Sequence, residues 1–285
     1  MKTDFYQAFE EKYRGSSELI QTRLEVYFPF IESLIKLSPK ANAVDLGCGR
    51  GEWLALLKEW GIDAQGVDLD EGMLDLARKK GFNVQNKEAI AFLNSLADAS
   101  QLIVSGFHVA EHIPFADLQQ LVQEALRVLQ PGGLLILETP NPENIVVGTS
   151  TFYLDPTHKN PLPPLLLSFL PEYYGFDKVK ILRLQEPSFA IEQGDDITLL
   201  DVLSRVSLDY AIVAQKLGQD ELMTATQPAF EANYGQELKK LANLYDQQID
   251  AKIQVAVNRI YLSHSWRITQ PLRWVMARIK ALKKN

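Results

Sequence analysis

Apolar positions in the first 40 residues recur at three- and four-residue steps, the spacing of one face of a helix. The pattern extends from Ile20 to Ile35 within a predicted helix over residues 4–37, and Pro39 ends it. We therefore predict an N-terminal helical cap over residues 1–40.

From residue 41 onward, short apolar runs alternate with segments of helical spacing. The apolar runs predict strands over residues 43–47, 64–70, 83–86, 101–107, 134–139, 178–184 and 209–216. The intervening segments predict helices over residues 52–61, 73–81, 115–129 and 163–174. This order predicts one α/β domain over residues 41–217, with a doubly wound, mostly parallel sheet and helices on both faces. Between residues 140 and 164 it leaves a long proline-rich loop, which is typical of a functional segment.

The pattern changes again after residue 218. Apolar positions from Tyr234 to Ile260 follow steps of three and four residues, in a narrow stripe on an otherwise polar helix. This stripe predicts a helical or coiled-coil segment over residues 218–263, with a homo-oligomer formed through residues 230–262. The alternative is a single amphipathic helix that lies on the rest of the chain.

Charge is distributed unevenly along the chain. Residues 1–250 carry 21 basic and 36 acidic side chains, whereas residues 251–285 carry 8 basic side chains and no acidic ones. An acidic body disfavours nucleic acid as a partner. Residues 264–285 predict a basic amphipathic tail, which would lie on an anionic membrane surface or dock onto an acidic protein surface.

Composition narrows the class of protein further. The chain has 285 residues, of which 46% are hydrophobic and 23% charged, so it has enough apolar residues for a large core. Its single cysteine, Cys48, excludes an intrachain disulfide and fits a reducing compartment. The first fifteen residues lack the apolar core of a secretory signal, and no apolar run approaches the roughly 18 residues of a membrane span. We expect a cytoplasmic protein, with peripheral contact at the inner face of the membrane through the tail.

A glycine-rich turn carries the chemistry. Gly47, Gly49 and Gly51 lie between the first predicted strand and the following helix, where a ligand can approach the backbone. Asp68 ends the next strand, 17 residues after Gly51. A carboxylate at that position can accept hydrogen bonds from both ribose hydroxyls of a nucleoside.

The chain resembles the class I S-adenosylmethionine-dependent methyltransferases in four segments: VDLGCGRG (44–51), GVDLDEGML (66–74), HVAEHI (108–113) and LRVLQPGGLLILETPNP (126–142). The resemblance implies a Rossmann-like fold and S-adenosylmethionine as the cofactor, with no metal expected. It also implies that the cofactor-binding residues are Asp45, Gly47, Cys48, Gly49, Asp68, Leu69, Met73, Glu88, Ala89, Phe107 and His108.

The resemblance assigns a role to several of these residues. The glycines let the methionine moiety lie against the backbone, and Asp68 holds the ribose. Leu69 and Met73 enclose the adenine, and Glu88 lies near its amino group. For Met73 the alternative is plain core packing, and for Glu88 it is the start of a solvated helix.

A narrower resemblance is to methyltransferases of bacterial polysaccharide gene clusters, including those of O-antigen biosynthesis. It rests on YRGS (13–16), NPENIVVGTSTFYLDPTHKNPLPP (141–164) and HSWRITQPLR (264–273). It implies a glycan or lipid-linked saccharide acceptor and a glycosyltransferase partner. It also implies that Arg14 closes over the cofactor and meets its carboxylate; the alternative is a surface arginine.

A sugar hydroxyl is a poor nucleophile and needs a general base. We expect this base to be His158 in the proline-rich loop, oriented by Asp155 three residues earlier. The alternative role for His158 is a structural hydrogen bond within the loop. A metal-assisted mechanism is a further alternative, because His108, Glu111 and His112 have the spacing of ligands on one helix face.

Two rival functions remain open from the sequence. One is an O-methyltransferase for a small aromatic or quinone-like acceptor. The other is a coiled-coil scaffold protein with a degenerate cofactor site, against which the intact glycine turn and Asp68 argue.

Overall fold

The computed structural model describes residues 15–38, 42–186 and 196–282. The chain divides into two compact units. The first comprises the described residues of Met1–Ala190 and Ser204–Glu237, and the second those of Ile191–Leu203 and Leu238–Asn285. Among the described residues, no helix is long and apolar enough to cross a membrane.

Within the described residues of the first unit, seven strands form one sheet in the order β3-β2-β1-β4-β5-β7-β6. The strands are β1 Asn42–Leu46, β2 Asp63–Asp68, β3 Asn83–Asn86, β4 Gln101–Phe107, β5 Leu129–Pro140, β6 Lys178–Leu184 and β7 Asp209–Gln215. Strands β1 to β5 run parallel, and β7 lies antiparallel between β5 and β6. This mostly parallel, Rossmann-like sheet confirms the predicted fold class.

Two hydrophobic clusters cover the two faces of the sheet. Successive residues of a strand point to opposite faces, and accordingly Leu135 and Ile136 belong to different clusters. Strand β4 is buried over six of its seven residues, as expected for a strand covered by helices on both sides. The helices of this unit are Ser17–Leu24, Phe28–Leu37, Glu52–Glu59, Glu71–Lys79, Ala89–Asn94, Phe115–Val128, Ile145–Thr149, Pro164–Tyr174 and Asp220–Glu231.

The predicted N-terminal helix is interrupted. A 3-10 turn at Glu25–Tyr27 separates the helices Ser17–Leu24 and Phe28–Leu37. Pro29 lies in the first turn of the second helix, where its missing N–H costs no hydrogen bond. The same missing N–H prevents the first helix from continuing through this position.

The segment after β5 is more ordered than its prolines suggested. It contains the helix Ile145–Thr149 and a 3-10 turn at Thr151–Leu154. The side chain of Asn144 caps this helix and donates hydrogen bonds to the carbonyls of Ser204 and Val206, at 2.9 and 2.7 Å. These bonds hold the segment at the carboxyl edge of the sheet.

The boundary predicted at residue 218 differs from the observed division. Helix Asp220–Glu231 belongs to the first unit, where Phe230 packs edge-on against Phe30 with ring centres 5.1 Å apart. The apolar face of this helix is therefore used within the first unit, and the second unit begins at Leu238.

The second unit is helical in its described residues. Its helices are Leu199–Ser204, whose last residue falls in the first unit, Leu238–Leu262, His264–Ile268 and Gln270–Leu282. The Gln248 amide makes two hydrogen bonds with the backbone of Ile197, at 2.8 and 2.9 Å. On the long helix, Ile253 and Ile260 are exposed, so the coiled coil and the homo-oligomer stay predictions.

Candidate active site at the carboxyl edge of the sheet

The glycine turn after β1 has the backbone conformation that its sequence predicts. Gly47, Gly49 and Gly51 have φ angles of +68°, +50° and +82°, values that favour glycine over any other residue. A Cβ atom at Gly47 would overlap the side chain of Val109. Glycine is therefore required at position 47 both by the backbone conformation and by the close packing of Val109.

Asp68 is connected to this turn. One of its carboxylate oxygens accepts the N–H of Gly49 at 2.9 Å, and the other accepts the N–H of Asp70 at 2.8 Å. A carboxylate has about four lone-pair positions, so each oxygen retains the capacity to accept one hydroxyl. The turn and Asp68 thus fit the ribose and methionine parts of S-adenosylmethionine.

The residues implied for adenine lie at the starts of two helices, Leu69 and Met73 at Glu71–Lys79 and Glu88 at Ala89–Asn94. Leu69 is 68% exposed, which leaves its side chain available to cover a flat base, whereas Met73 is buried. Glu88 is exposed and caps the helix that begins at Ala89, accepting the N–H groups of Ile90 and Ala91. The capping role is therefore observed, and the adenine role of Glu88 stays a prediction.

Asp45 lies in β1, and Cys48 lies within the turn itself. Buried Asp45 accepts a hydrogen bond from the Ser105 hydroxyl at 2.8 Å. Burial raises the pKa of the Cys48 thiol far above its usual value, so the thiol stays protonated and is a poor nucleophile. Arg14 lies outside the described residues.

A cavity of about 340 Å³ opens beside the glycine turn. Gly47 and Gly49 follow β1, Phe107 and His108 lie at the end of β4, and a polar wall consists of Glu138, Gln185 and Asp209 at the ends of β5, β6 and β7. The strand order β1-β4-β5-β7-β6 therefore separates the glycine turn from the polar wall. The remaining lining residues are Ile20, Arg23, Leu24, Asp45, Cys48, Glu52, Trp53 and Leu208. Ligands bind at the carboxyl ends of the strands in open α/β sheets, and this cavity occupies that position.

Distant parts of the chain build the polar wall. Glu138 is near the end of β5, Gln185 follows β6, and Asp209 begins the antiparallel strand β7. Glu138 accepts hydrogen bonds from the Tyr27 hydroxyl and from the Gln185 amide, the latter at 3.1 Å. Both carboxylate oxygens of Glu138 are therefore fixed in place.

The charges of the cavity are coupled. Burial lowers the pKa of His108, but its hydrogen bond with Glu111 and nearby carboxylates such as Asp209 outweigh burial and raise the pKa to about 9. Burial raises the pKa of Asp209 to about 7, with the charge of Glu138 adding to this effect and that of His108 opposing it. At neutral pH the cavity thus contains a cationic imidazole and a carboxyl group close to its midpoint.

His158 and Asp155 come close to each other but, among the described residues, do not line the cavity. His158 Nε2 is 3.9 Å from Asp155 Oδ2 and 4.0 Å from Glu111 Oε1. His158 Nδ1 donates to the carbonyl of Phe152 at 2.6 Å, the structural hydrogen bond that the sequence left open. The role of His158 as a base stays a prediction.

The spacing of His108, Glu111 and His112 does not produce one α-helical face. Residues 110–112 form a 3-10 turn, and His108 precedes it with a φ angle of +55°. His108 therefore groups with Glu138 and Asp209, while Glu111 and His112 group with His158.

Among the residues that the sequence did not reveal as part of the site are the polar wall and Tyr27, which binds it. Glu138 and Asp209 have a recognisable signal, an acidic residue where a buried apolar strand ends or begins at the ligand-binding edge. Tyr27 and Gln185 have none, because one lies in the 3-10 turn of the N-terminal segment and the other follows an outer strand.

Comparisons with known proteins agree with this geometry. Residues 44–137 match the family model described as a methyltransferase domain. A probable S-adenosylmethionine-dependent methyltransferase of Mycolicibacterium smegmatis is 32% identical over 136 residues, which cover 48% of this chain and 52% of that protein. A ubiquinone biosynthesis O-methyltransferase of Methylococcus capsulatus is 33% identical over 119 residues, which cover 39% and 48%. The chain thus spans about half the length of the curated relatives it matches.

A solved structure gives the more complete match. It is an S-adenosylmethionine-dependent methyltransferase from Archaeoglobus fulgidus, 35% identical to this chain with a TM-score of 0.66, and the match covers 75% of this chain and 100% of the other. With the glycine turn, Asp68 and the strand order described above, this similarity shows that the chain belongs to the S-adenosylmethionine-dependent methyltransferases.

Proposed function

We propose that this chain transfers a methyl group from S-adenosylmethionine to a hydroxyl group of a saccharide in bacterial surface polysaccharide biosynthesis. The observation that carries the proposal is the polar wall of Glu138, Gln185 and Asp209, which the strand order separates from the glycine turn after β1. Carboxylates and amides bind the hydroxyl groups of a sugar, whereas aromatic acceptors favour apolar and aromatic surfaces.

The cofactor supplies a methyl group already activated on a positively charged sulfur. The chain must therefore hold the acceptor hydroxyl in line, exclude water and remove one proton. Glu138 is held by Tyr27 and Gln185, and its proposed role is to orient a neighbouring hydroxyl of the sugar. Asp209 lines the same wall, and its proposed role is to accept the proton.

Asp209 suits this role better than His158 does. It lines the cavity, and its pKa of about 7 leaves a carboxylate that is basic enough to accept a proton near neutral pH. The charged groups that act on it are His108, Glu138, Glu111 and Arg23. His158, by contrast, turns one nitrogen to the Phe152 carbonyl and the other towards two carboxylates.

A second candidate is O-methylation of a small dihydroxylated aromatic or quinone-like acceptor. The observation in its favour is the similarity to the ubiquinone biosynthesis O-methyltransferase of Methylococcus capsulatus. The cavity also has apolar and aromatic lining, from Ile20, Leu24, Trp53, Phe107 and Leu208.

The two candidates predict different products from one experiment. The full chain is incubated with S-adenosylmethionine that carries a labelled methyl group, together with free, nucleotide-linked and lipid-linked sugars, a catechol and a hydroquinone. We expect the label in an O-methyl ether of a sugar, detected by mass spectrometry. Label in the aromatic acceptors alone would contradict the saccharide proposal and support the second candidate.

The basic tail is proposed to contact an anionic membrane surface at the inner face of the cytoplasmic membrane. In helix Gln270–Leu282, Leu272 and Ile279 are exposed. The guanidinium carbon of Arg273 lies 3.8 Å from the ring centre of Trp266, and that of Arg278 lies 4.2 Å from the ring centre of Trp274. Each basic residue near such a surface contributes about 1 kcal/mol of binding. Docking onto a glycosyltransferase partner is the alternative.

Deletion of residues 264–285 should separate membrane binding from catalysis. We expect the shortened chain to methylate a soluble acceptor normally but to lose sedimentation with vesicles rich in anionic lipid, because the cluster of basic residues is gone. Vesicles of neutral lipid serve as the control. If the full-length chain fails to bind anionic vesicles at low salt, the membrane proposal is wrong and the partner alternative stands.

A further inference from the structure

Next to the cavity, but outside its lining, a second group of side chains has the composition of a metal site. Glu111, His112 and His158 each place one donor atom within 4.8 Å of the donor atoms of the other two. Asp155 is adjacent, with Oδ2 3.9 Å from His158 Nε2. The ring centres of the two histidines are 4.6 Å apart. Two separate segments, residues 110–112 and 151–158, therefore contribute donors to one place.

The hydrogen bonds of His158 define where its lone pair lies. Its Nδ1 is 2.6 Å from the carbonyl oxygen of Phe152, which can only accept, so Nδ1 carries a proton. In the neutral ring, Nε2 then has a lone pair and faces carboxylate oxygens of Glu111 and Asp155. A cation between these groups would therefore meet one nitrogen lone pair and two carboxylate oxygens.

Hydrogen bonds also determine which ring nitrogen of His112 carries the proton. The Thr157 hydroxyl donates its one proton to Asp155 Oδ1 at 2.6 Å. The 2.9 Å contact between Thr157 Oγ1 and His112 Nδ1 therefore has the histidine as donor, which leaves the lone pair of His112 on Nε2. Metal-binding histidines in proteins almost always donate their second ring N–H to such an outer group.

We propose that Glu111, His112 and His158 bind one first-row divalent cation, with Zn²⁺ the best fit, and that Asp155 is the fourth ligand. Zinc lies about 2.0–2.2 Å from nitrogen and oxygen ligands, so two ligands of a tetrahedral site are about 3.3–3.6 Å apart. The separations of 3.9 and 4.0 Å around His158 Nε2 are slightly longer, and binding of the ion would draw these side chains together by roughly half an ångström. Two imidazoles favour zinc over Mg²⁺ or Ca²⁺, which prefer oxygen ligands.

The groups behind the ligands support the site. The Thr139 hydroxyl donates to Glu111 Oε2 at 2.9 Å, which directs the other oxygen towards the histidines. The same oxygen, Oε1, also meets His108 Nδ1 at 3.1 Å. The ion would therefore hold the 151–158 segment against the middle of the cavity wall without entering the cavity. This ligand set replaces His108 of the sequence-based alternative with His158, and it does not rest on the proposed function.

Metal content tests the site directly. The full chain, free of any affinity tag, is loaded with Zn²⁺ and exchanged into metal-free buffer. Its zinc content is then measured by inductively coupled plasma mass spectrometry. We expect one zinc per chain, and we expect His158→Gln and His112→Gln to lose it. His264→Gln, which changes an exposed histidine in the second unit, is the matched control and should retain the ion. Zinc should also raise the melting temperature of the wild-type chain, because it binds only the folded site.

The proposal is wrong if the wild-type chain retains no zinc after loading and its melting temperature is the same with and without zinc. Retention of zinc by His158→Gln would overturn the ligand assignment, as would stoichiometric binding of Mg²⁺ in place of Zn²⁺. If the glutamine variants do not fold, the zinc content and melting temperature of the wild-type chain decide the question. Binding of S-adenosylmethionine, measured on the same samples, reports separately on the cofactor site.

Discussion

Replacement of Asp209 by asparagine should lower turnover by about 10²- to 10⁴-fold, the range for loss of a general base. The amide keeps the shape of the side chain but cannot accept the proton of the acceptor hydroxyl at neutral pH. Cofactor affinity should change little, because Asp209 begins β7, which β4 and β5 separate from the glycine turn after β1. The measurement is the rate of methyl transfer at saturating cofactor and acceptor.

The pH dependence distinguishes a proton acceptor from a merely structural residue. Asp209 has a pKa of about 7 and accepts a proton only when ionised, so wild-type turnover should rise with pH through about 7 and then level off. In the asparagine variant this rise should disappear. Its fold should be no less stable than wild type above pH 7, because burial already disfavours the charged form of Asp209.

Asp177→Asn provides a matched control, since Asp177 is exposed and precedes β6 at the opposite edge of the sheet. Turnover in this control should equal that of wild type. If His158→Gln abolishes turnover while Asp209→Asn does not, Asp209 is not the proton acceptor and the sequence-based choice of His158 is correct.

Replacement of Asp68 by alanine should weaken S-adenosylmethionine binding by about 1.5–3 kcal/mol, the range for a hydrogen bond to a charged group. This energy corresponds to roughly a ten- to hundredfold rise in the dissociation constant. The substitution removes the acceptor proposed for the ribose hydroxyls and also the 2.9 Å hydrogen bond that ties Asp68 to the glycine turn.

The control for this variant is Asp63→Ala, at the exposed start of the same strand. It changes the same residue type in β2 but lies at the end of the strand remote from the cavity, so affinity should be unaffected. Folding of both variants is checked by circular dichroism. Unchanged affinity in a folded Asp68→Ala variant would contradict the ribose assignment.

The fold was predictable because its strands are short apolar runs that end at glycines or polar residues. The predicted strands 101–107 and 178–184 match β4 and β6 residue for residue. β5 was predicted to begin at residue 134 but begins at Leu129. The chain stays extended through Pro131, and a register shift against β4 absorbs the extra residues. Bulges of this kind depend on the neighbouring strand, which local periodicity does not describe.

The cofactor end of the site was predictable in the same way, because the glycine turn and Asp68 follow consecutive strands. The polar wall was not predictable from the sequence. Glu138 comes close to Gln185 and Asp209 only because β7 lies antiparallel between β5 and β6. The approach of His158 to His112 was equally hidden, because it depends on the path of the loop that begins at β5.

The central claim is that one cavity has a cofactor end at the glycine turn and Asp68 and an acceptor end at Glu138, Gln185 and Asp209. Calorimetric titration of S-adenosylhomocysteine into wild type, Asp68→Ala and Asp209→Asn tests it most directly. We predict one site per chain in wild type, roughly ten- to hundredfold weaker binding in Asp68→Ala, and near wild-type affinity in Asp209→Asn. Loss of affinity in Asp209→Asn equal to that in Asp68→Ala, or no binding by the wild-type chain, would contradict the claim.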